Sequence, residues 1–313
     1  MIGHDPADAL ITILRDEEAL PEQGSEEWLK IRKSLVTASI ASDILGKKKK
    51  LETYYQQIFD VDHLHLKLTH HFQTRRQIIE HKLNIPSGCK QSLYSQWIMK
   101  QGVRQEALIR QHLERIAYNV KHTDVYIPLK FRIHENWLAA SPDGCFMDPI
   151  RLLEIKSIHG RKPIMDHIPE KYWIQIQIQL FVYKIQTAQY SEVQLEFFPT
   201  YGEWLMAPHP HKYCAYIDDE TDRTFYPPPN QHNEVWHNEV AIYKALEGLE
   251  IVYYAIKFEQ TFKITAQPGW IQSILPTLYE FYLDLKRQKQ EVTSTDLMQV
   301  EAIKDQLMEE CHS

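Results

Sequence analysis

Residues 172–184 read YWIQIQIQLFVYK, and they limit the fold more than any other stretch. From Ile174 to Gln179, isoleucine and glutamine alternate. A period of two predicts a half-buried strand with the three glutamines on one face. A helical wheel gives another pattern. Tyr172, Gln175, Gln179 and Tyr183 form one stripe, Ile174, Ile178 and Phe181 form the opposite one, and Ile176, Leu180 and Val182 fill in between. That is a helix apolar nearly all round, as a buried helix is.

The 313 residues suffice for one large domain or two small ones. GSEEWLKIRK predicts a short helix entered from Gly24 or Ser25, with Glu26 and Glu27 in its first turn. TASIASDILG predicts another, capped by Thr37 and stopped by Gly46, and the lysines 47–50 then form a solvated loop. Residues 51–84 are polar, histidine-rich and weakly helical. A long helix runs from Ser92 to Tyr118, with Ile98, Met99, Gly102, Val103, Ile109, Leu113, Ile116 and Ala117 on one side. Glu106 interrupts that apolar arc, where a carboxylate needs a partner. DVYIPLKF, NWLAAS, RLLEIKSI and SEVQLEFF have strand composition. PDGCFMDP predicts the turn of an antiparallel hairpin between the second and third of these. Residues 200–233 are loop-like, EVAIYKALEGL is helical, and EIVYYAIKFEQTFKIT holds one or two strands. A helix starts near Pro268, followed by a polar tail to Ser313.

Net charge is −7, but basic residues cluster at Lys47–Lys50, Arg75–Arg76 and Arg161–Lys162, so charge does not exclude a nucleic-acid partner. Cys89, Cys145, Cys214 and Cys311 are scattered, which suits a reducing, intracellular setting and neither a disulfide scaffold nor an iron–sulfur cluster. The start MIGHDPADAL does not read as a signal peptide, and no apolar run approaches the ~20 residues of a membrane span. The spacings of His209, His211, Cys214, His232 and His237 do not pair as zinc ligands.

Chemistry gathers at three places. Asp143 sits in the turn SPDG, Glu154 and Lys156 share one face of LEIKS while Ile155 points to the other, and Glu106 lies on the preceding helix. Converging carboxylates repel unless a cation sits among them, and hard oxygen donors suit Mg²⁺. With Lys156 beside them, and the Ile155 carbonyl as a further ligand, the set reads as metal-assisted phosphodiester hydrolysis. Taken alone, this spacing more often marks a hairpin with a surface Glu–Lys pair.

SPDG…LLEIKS resembles the lambda exonuclease / YqaJ viral recombinase family of PD-(D/E)xK nucleases. GSEEWLKIRKSLVTAS, QGVRQEALIR, YWIQIQ and YAIKFEQTFKITAQPGWIQSILPTLYEFYLDL match that family in order, over residues 23–285. The resemblance implies an α/β PD-(D/E)xK restriction-endonuclease-like core, a central mixed β-sheet of about five strands flanked by helices. It implies one nuclease domain over 1–290, with a helical part 20–120, catalytic core 90–200, insertion 200–250 and closing strands and helix 250–287, before a polar tail 291–313. Glu106, Asp143, Glu154 and the Ile155 carbonyl become metal ligands, Lys156 the catalytic lysine and Gln175 a site-shaping glutamine. Arg32, Ser39 and Ser141 match positions that contact a terminal 5′-phosphate, and Tyr172 an aromatic of the glutamine helix. The implied activity is a Mg²⁺-dependent (alternatively Mn²⁺-dependent) 5′→3′ exonuclease on double-stranded DNA ends, in recombination, repair or viral DNA processing. The implied partners are a single-strand annealing protein and further copies of the chain, since a ring-shaped trimer exists among the relatives. Cytoplasm or a host nucleus is the implied location. The chain departs from the family in having Ser157-Ile158 where Cys-Pro is common, and in about 45 residues between Phe198 and Val252 that read as an insertion. An endonuclease of the same fold and a non-catalytic DNA-binding relative are the alternatives. With the family in view, residues 172–184 become a helix opening after Pro169, with Gln175 facing the metal and Gln177 pointing away.

Overall fold

The structure, a computed structural model, describes residues 21, 25–46, 74–84, 93–121, 125–129, 131–158, 163, 165–218, 223–247 and 250–310. Of residues 93–96, 98, 99, 241–247, 250 and 291–310 it describes the backbone alone. Lys47–Lys50, Arg161, Lys162, Cys89, Cys311 and most of the histidine-rich segment lie outside the described residues.

In chain order the elements are α1 (Glu26–Lys33), β1 (Val36–Thr37), a 3₁₀ turn (Ala38–Ile40), α2 (Ala41–Leu45), α3 (Arg75–Lys82) and α4 (Leu93–Lys121). There follow β2 (Tyr126–Ile127), β3 (Arg132–His134), β4 (Leu138–Ala140), β5 (Gly144–Met147), β6 (Ile150–Ser157), α5 (Glu170–Tyr183) and β7 (Thr187–Phe198). The chain continues through α6 (Tyr201–Met206), β8 (Lys212–Asp218), β9 (Arg223–Phe225), α7 (Asn233–Glu247), β10 (Glu250–Thr265) and α8 (Pro268–Glu310). This is a mixed α/β architecture with helices on both faces of a mixed sheet.

The main sheet has seven strands, in the order β2-β5-β6-β7-β10-β8-β9. Only β6 and β7 pair in parallel, and α5 makes the crossover between them. A smaller sheet, β1-β4-β3, lies alongside. Alternation along β6 assigns its two faces. Leu153 and Ile155 pack with Leu108, Ile109 and Leu113 of α4, while Leu152 packs with Ile174 and Ile178 of α5 and Trp270 and Phe281 of α8.

Residues 172–183 are helical, and Lys184 ends the helix in a left-handed conformation. Trp173, Gln177, Gln179 and Tyr183 are buried along with Ile174, Ile176, Ile178, Leu180 and Val182, so both parities are covered, which no two-faced strand with one wet side would give. Gln177 does point away: its Nε2 donates to the Thr265 carbonyl (2.9 Å) and its Oε1 accepts from the Gln267 amide (2.8 Å).

Several expectations are corrected. The hairpin is built from GCFM and IRLL, not from NWLAAS, because β5 lies inside the segment read as a turn. NWLAAS instead supplies β4 of the small sheet. Among the described residues of DVYIPLKF, Tyr126–Ile127 alone is strand. Residues 200–233 are not loop, for β8, buried from Tyr213 to Ile217, pairs with β10 and extends the sheet beyond five strands. Residues 250–265 form one strand with an irregularity between Ile256 and Phe258. α8 runs on to Glu310. On α4, Val103 is 67% exposed, and Leu108 takes a core place. Thr37 makes no cap bond; its hydroxyl instead meets Ser39 Oγ at 3.2 Å. No described helix is long and apolar enough to cross a membrane.

Candidate active site

The β5–β6 hairpin sets Asp143 against β6. The Asp143 amide donates to the Leu153 carbonyl (3.0 Å), and its Oδ2 accepts from the Ile155 amide (2.5 Å). Tyr126 clamps the turn from the other side, donating its hydroxyl to the Asp143 carbonyl at 2.5 Å. Its ring occupies the space where a Cβ on residue 144 would stand: an added Cβ would meet Cε2 at 2.1 Å. Gly144 is therefore required by close approach. Gly144→Ala is expected to lower stability by about 1–3 kcal/mol, the usual result of overpacking, as measured by denaturant unfolding. Displacement of Tyr126 is expected to loosen Asp143 as well.

Glu154 is 1% exposed and fully engaged. Its Oε1 accepts from Lys156 Nζ and from Gln175 Nε2 (2.7 Å), and its Oε2 accepts from Gln179 Nε2 (2.6 Å). Lys156 Nζ also lies 5.2 Å from the Tyr172 ring centre, and Tyr172 stacks on Tyr190 at 5.8 Å. Tyr172 thus flanks the lysine.

Charge is concentrated here. Burial, then the charges of Glu106 and Glu154, push the Asp143 carboxyl well above the usual carboxylate range. Burial alone would lower the Lys156 ammonium, but Glu154 and Asp143 outweigh it and raise it, so the lysine is held protonated. Burial also raises Glu106, against the pull of Arg110 and Lys156. Arg110 Nη2 donates to Glu106 Oε1 at 2.9 Å, the partner one helical turn on that a carboxylate on this face needs.

A cleft of about 160 Å³ opens over the group, lined by Asp143, Glu154, Lys156, Gln175 and Gln179 together with Arg32, Ser39 and Ser141. Parallel pairing of Val36 with Leu138 and Thr37 with Ala139 brings the segments carrying Ser39 and Ser141 together. α1 begins where Ser25 Oγ accepts from the Trp28 amide (3.2 Å), and it buries Trp28. The Arg32 guanidinium, one turn on, lies 4.2 Å from the Trp28 ring centre and donates to Ser39 Oγ at 3.2 Å. Behind it, Lys82 of α3 donates to the Arg32 carbonyl (2.9 Å), and burial and then the Arg32 charge bring its ammonium down to about 7.

The structure thus brings seven of the expected residues into one cleft, Asp143, Glu154, Lys156, Gln175, Arg32, Ser39 and Ser141, with Tyr172 beside Lys156 and the Ile155 amide on Asp143. Glu106 influences the cleft through charge but does not line it, and the Ile155 side chain packs against α4 on the opposite face. Among the described residues, no three of His, Cys, Asp and Glu stand close enough to hold a metal ion. Gln179, Lys82, Arg110 and Tyr126 escaped the sequence reading. Gln179 had a signal, because it shares a helical stripe with Gln175. Away from the cleft, His209 pairs with Glu196 (2.9 Å) and His237 stacks on Tyr201 (4.4 Å).

The family described as the YqaJ-like viral recombinase domain matches residues 27–189. No curated protein matches the chain. Similar solved structures include an alkaline exonuclease (LHK-Exo) from Laribacter hongkongensis, at 15% identity over 88% of this chain and 99% of that one, with a TM-score of 0.44. They also include a phage-related exonuclease from Haemophilus somnus 129PT, at 14% identity over 83% and 96%, with a TM-score of 0.41.

Proposed function

Because the chain belongs to the YqaJ-like viral recombinase domain family, we propose that it is a divalent-metal-dependent deoxyribonuclease, a 5′→3′ exonuclease acting on linear duplex ends. The observation that supports this reading most is a single cleft lined by Asp143, Glu154, Lys156 and Gln175 together with Arg32, Ser39 and Ser141. Buried carboxylates that repel one another are the donor chemistry a hard cation satisfies, so Asp143 and Glu154 would hold Mg²⁺ or Mn²⁺. Glu106 joins them only on leaving Arg110. The metal, when bound, polarises the scissile phosphate and acidifies water.

The chain's own groups do the rest. Arg32 grips the terminal phosphate with its fork of donors, and the two serine hydroxyls stand beside it. Lys156, held protonated, stabilises negative charge developing on the phosphate oxygens and does not act as the base. Gln175 fixes Oε1 of Glu154. The role we assign is DNA recombination, repair or viral DNA processing, with a single-strand annealing protein and further copies of the chain as partners.

One experiment compares 5′-phosphorylated linear duplex, 5′-hydroxyl linear duplex and closed circular duplex, each with Mg²⁺ and with EDTA. We expect rapid loss of the phosphorylated linear DNA, slow loss of the hydroxyl form, intact circles, and no activity in EDTA. Cutting of circles at the linear rate would turn the assignment to an endonuclease. No cleavage of any substrate with either metal would leave a DNA-binding relative.

A further inference from the structure

The three glutamines of α5 are satisfied differently. Both amide atoms of Gln177 are paired, to Thr265 and Gln267. Gln179 is 1% exposed and donates Nε2 to Glu154 Oε2 at 2.6 Å, but its Oε1 is buried with no hydrogen-bond partner. The amide cannot be turned over, because that would set a carbonyl oxygen against the Glu154 carboxylate. Buried acceptors are nearly always paired with protein or with ordered water. This one belongs to a residue lining the cleft that Asp143, Glu154 and Lys156 share.

We infer that Gln179 serves two groups at once: Nε2 fixes Oε2 of Glu154, and Oε1 accepts a hydrogen bond from the water consumed in strand hydrolysis. The inference rests on the nuclease reading above. It makes Gln179 a catalytic residue in its own right, one turn from Gln175. Together the two amides grip both oxygens of Glu154, and only Gln179 has a buried acceptor left over to place a water.

The test separates donor from acceptor. Gln179→Met removes both, and Gln179→Lys keeps a donor for Glu154 but has no acceptor. Steady-state kinetics on 5′-phosphorylated linear duplex are run on both variants beside wild type and Asp143→Ala, with melting temperatures measured in EDTA. We expect both Gln179 variants to lose about tenfold to thirtyfold in kcat, with KM within about twofold and melting near wild type. A Lys variant with wild-type kcat would show that the donor alone matters, and it would overturn the inference. A loss confined to KM, or one matched by a collapse of melting temperature, overturns it too. Wild type no faster than Asp143→Ala would instead defeat the nuclease reading itself.

Discussion

Asp143→Ala is expected to lower kcat on linear duplex DNA about a thousandfold or more while leaving the fold intact. The carboxylate sits where the β5–β6 hairpin brings it against β6, among groups whose charges all act on it. Two effects on stability oppose one another. Removing the side chain strips the Ile155 amide of its acceptor, which costs about 1–3 kcal/mol for a buried donor. It also removes a buried negative charge that Glu106 and Glu154 repel, which stabilises the fold when no cation is present. The melting temperature in EDTA is therefore expected to stay near wild type. Lys156→Ala should differ. It too abolishes turnover, but it takes the cation away from buried Glu154 and so lowers melting. Turnover and thermal unfolding on the two variants check the pair. If Asp143→Ala melts far below wild type, its main role is structural. If it degrades DNA at the wild-type rate, the catalytic assignment is wrong.

This opposition between stability and chemistry also explains which parts of the site were legible. Glu154 and Lys156 could be placed on one face because strand alternation leaves no other arrangement once β6 is a strand. The helical reading of α5 held because its apolar residues leave only a narrow polar stripe, which a buried crossover helix tolerates. Glu106 was legible as an anomaly, and Arg110, four residues on along the predicted helix, is the partner that helical spacing offers it. The segment 200–233 reads as loop because PHPH and YPPPN punctuate it heavily, while the continuous apolar run YCAYI between them is short. Tyr126 over Gly144 pairs residues from different strands, and periodicity within one segment carries no trace of such a contact.

Arg32→Ala is expected to reduce the preference for 5′-phosphorylated over 5′-hydroxyl ends about a hundredfold. The reasoning begins from what Arg32 lacks. Among the described residues no carboxylate pairs with it, and its neighbours are the Trp28 ring, the Ser39 hydroxyl and a second cation, Lys82. Burial lowers the guanidinium from its ordinary value, and Arg32 in turn helps depress Lys82 to about 7. Arg32 and the buried Lys82, with no carboxylate on either among the described residues, repel, and an arriving phosphate relieves that repulsion. A hydrogen bond to a charged group contributes about 1.5–3 kcal/mol, and at 1.36 kcal/mol per factor of ten a value near the upper end gives the hundredfold. Arg32→Lys keeps the charge but loses the planar fork, so about a tenfold loss is expected there. The decisive measurement is the ratio of kcat/KM on the two ends. Turnover of the hydroxyl end should hardly change, since no phosphate is present for Arg32 to meet. An equal loss on both ends would mean that Arg32 serves the packing of α1 on Trp28 and not the DNA terminus.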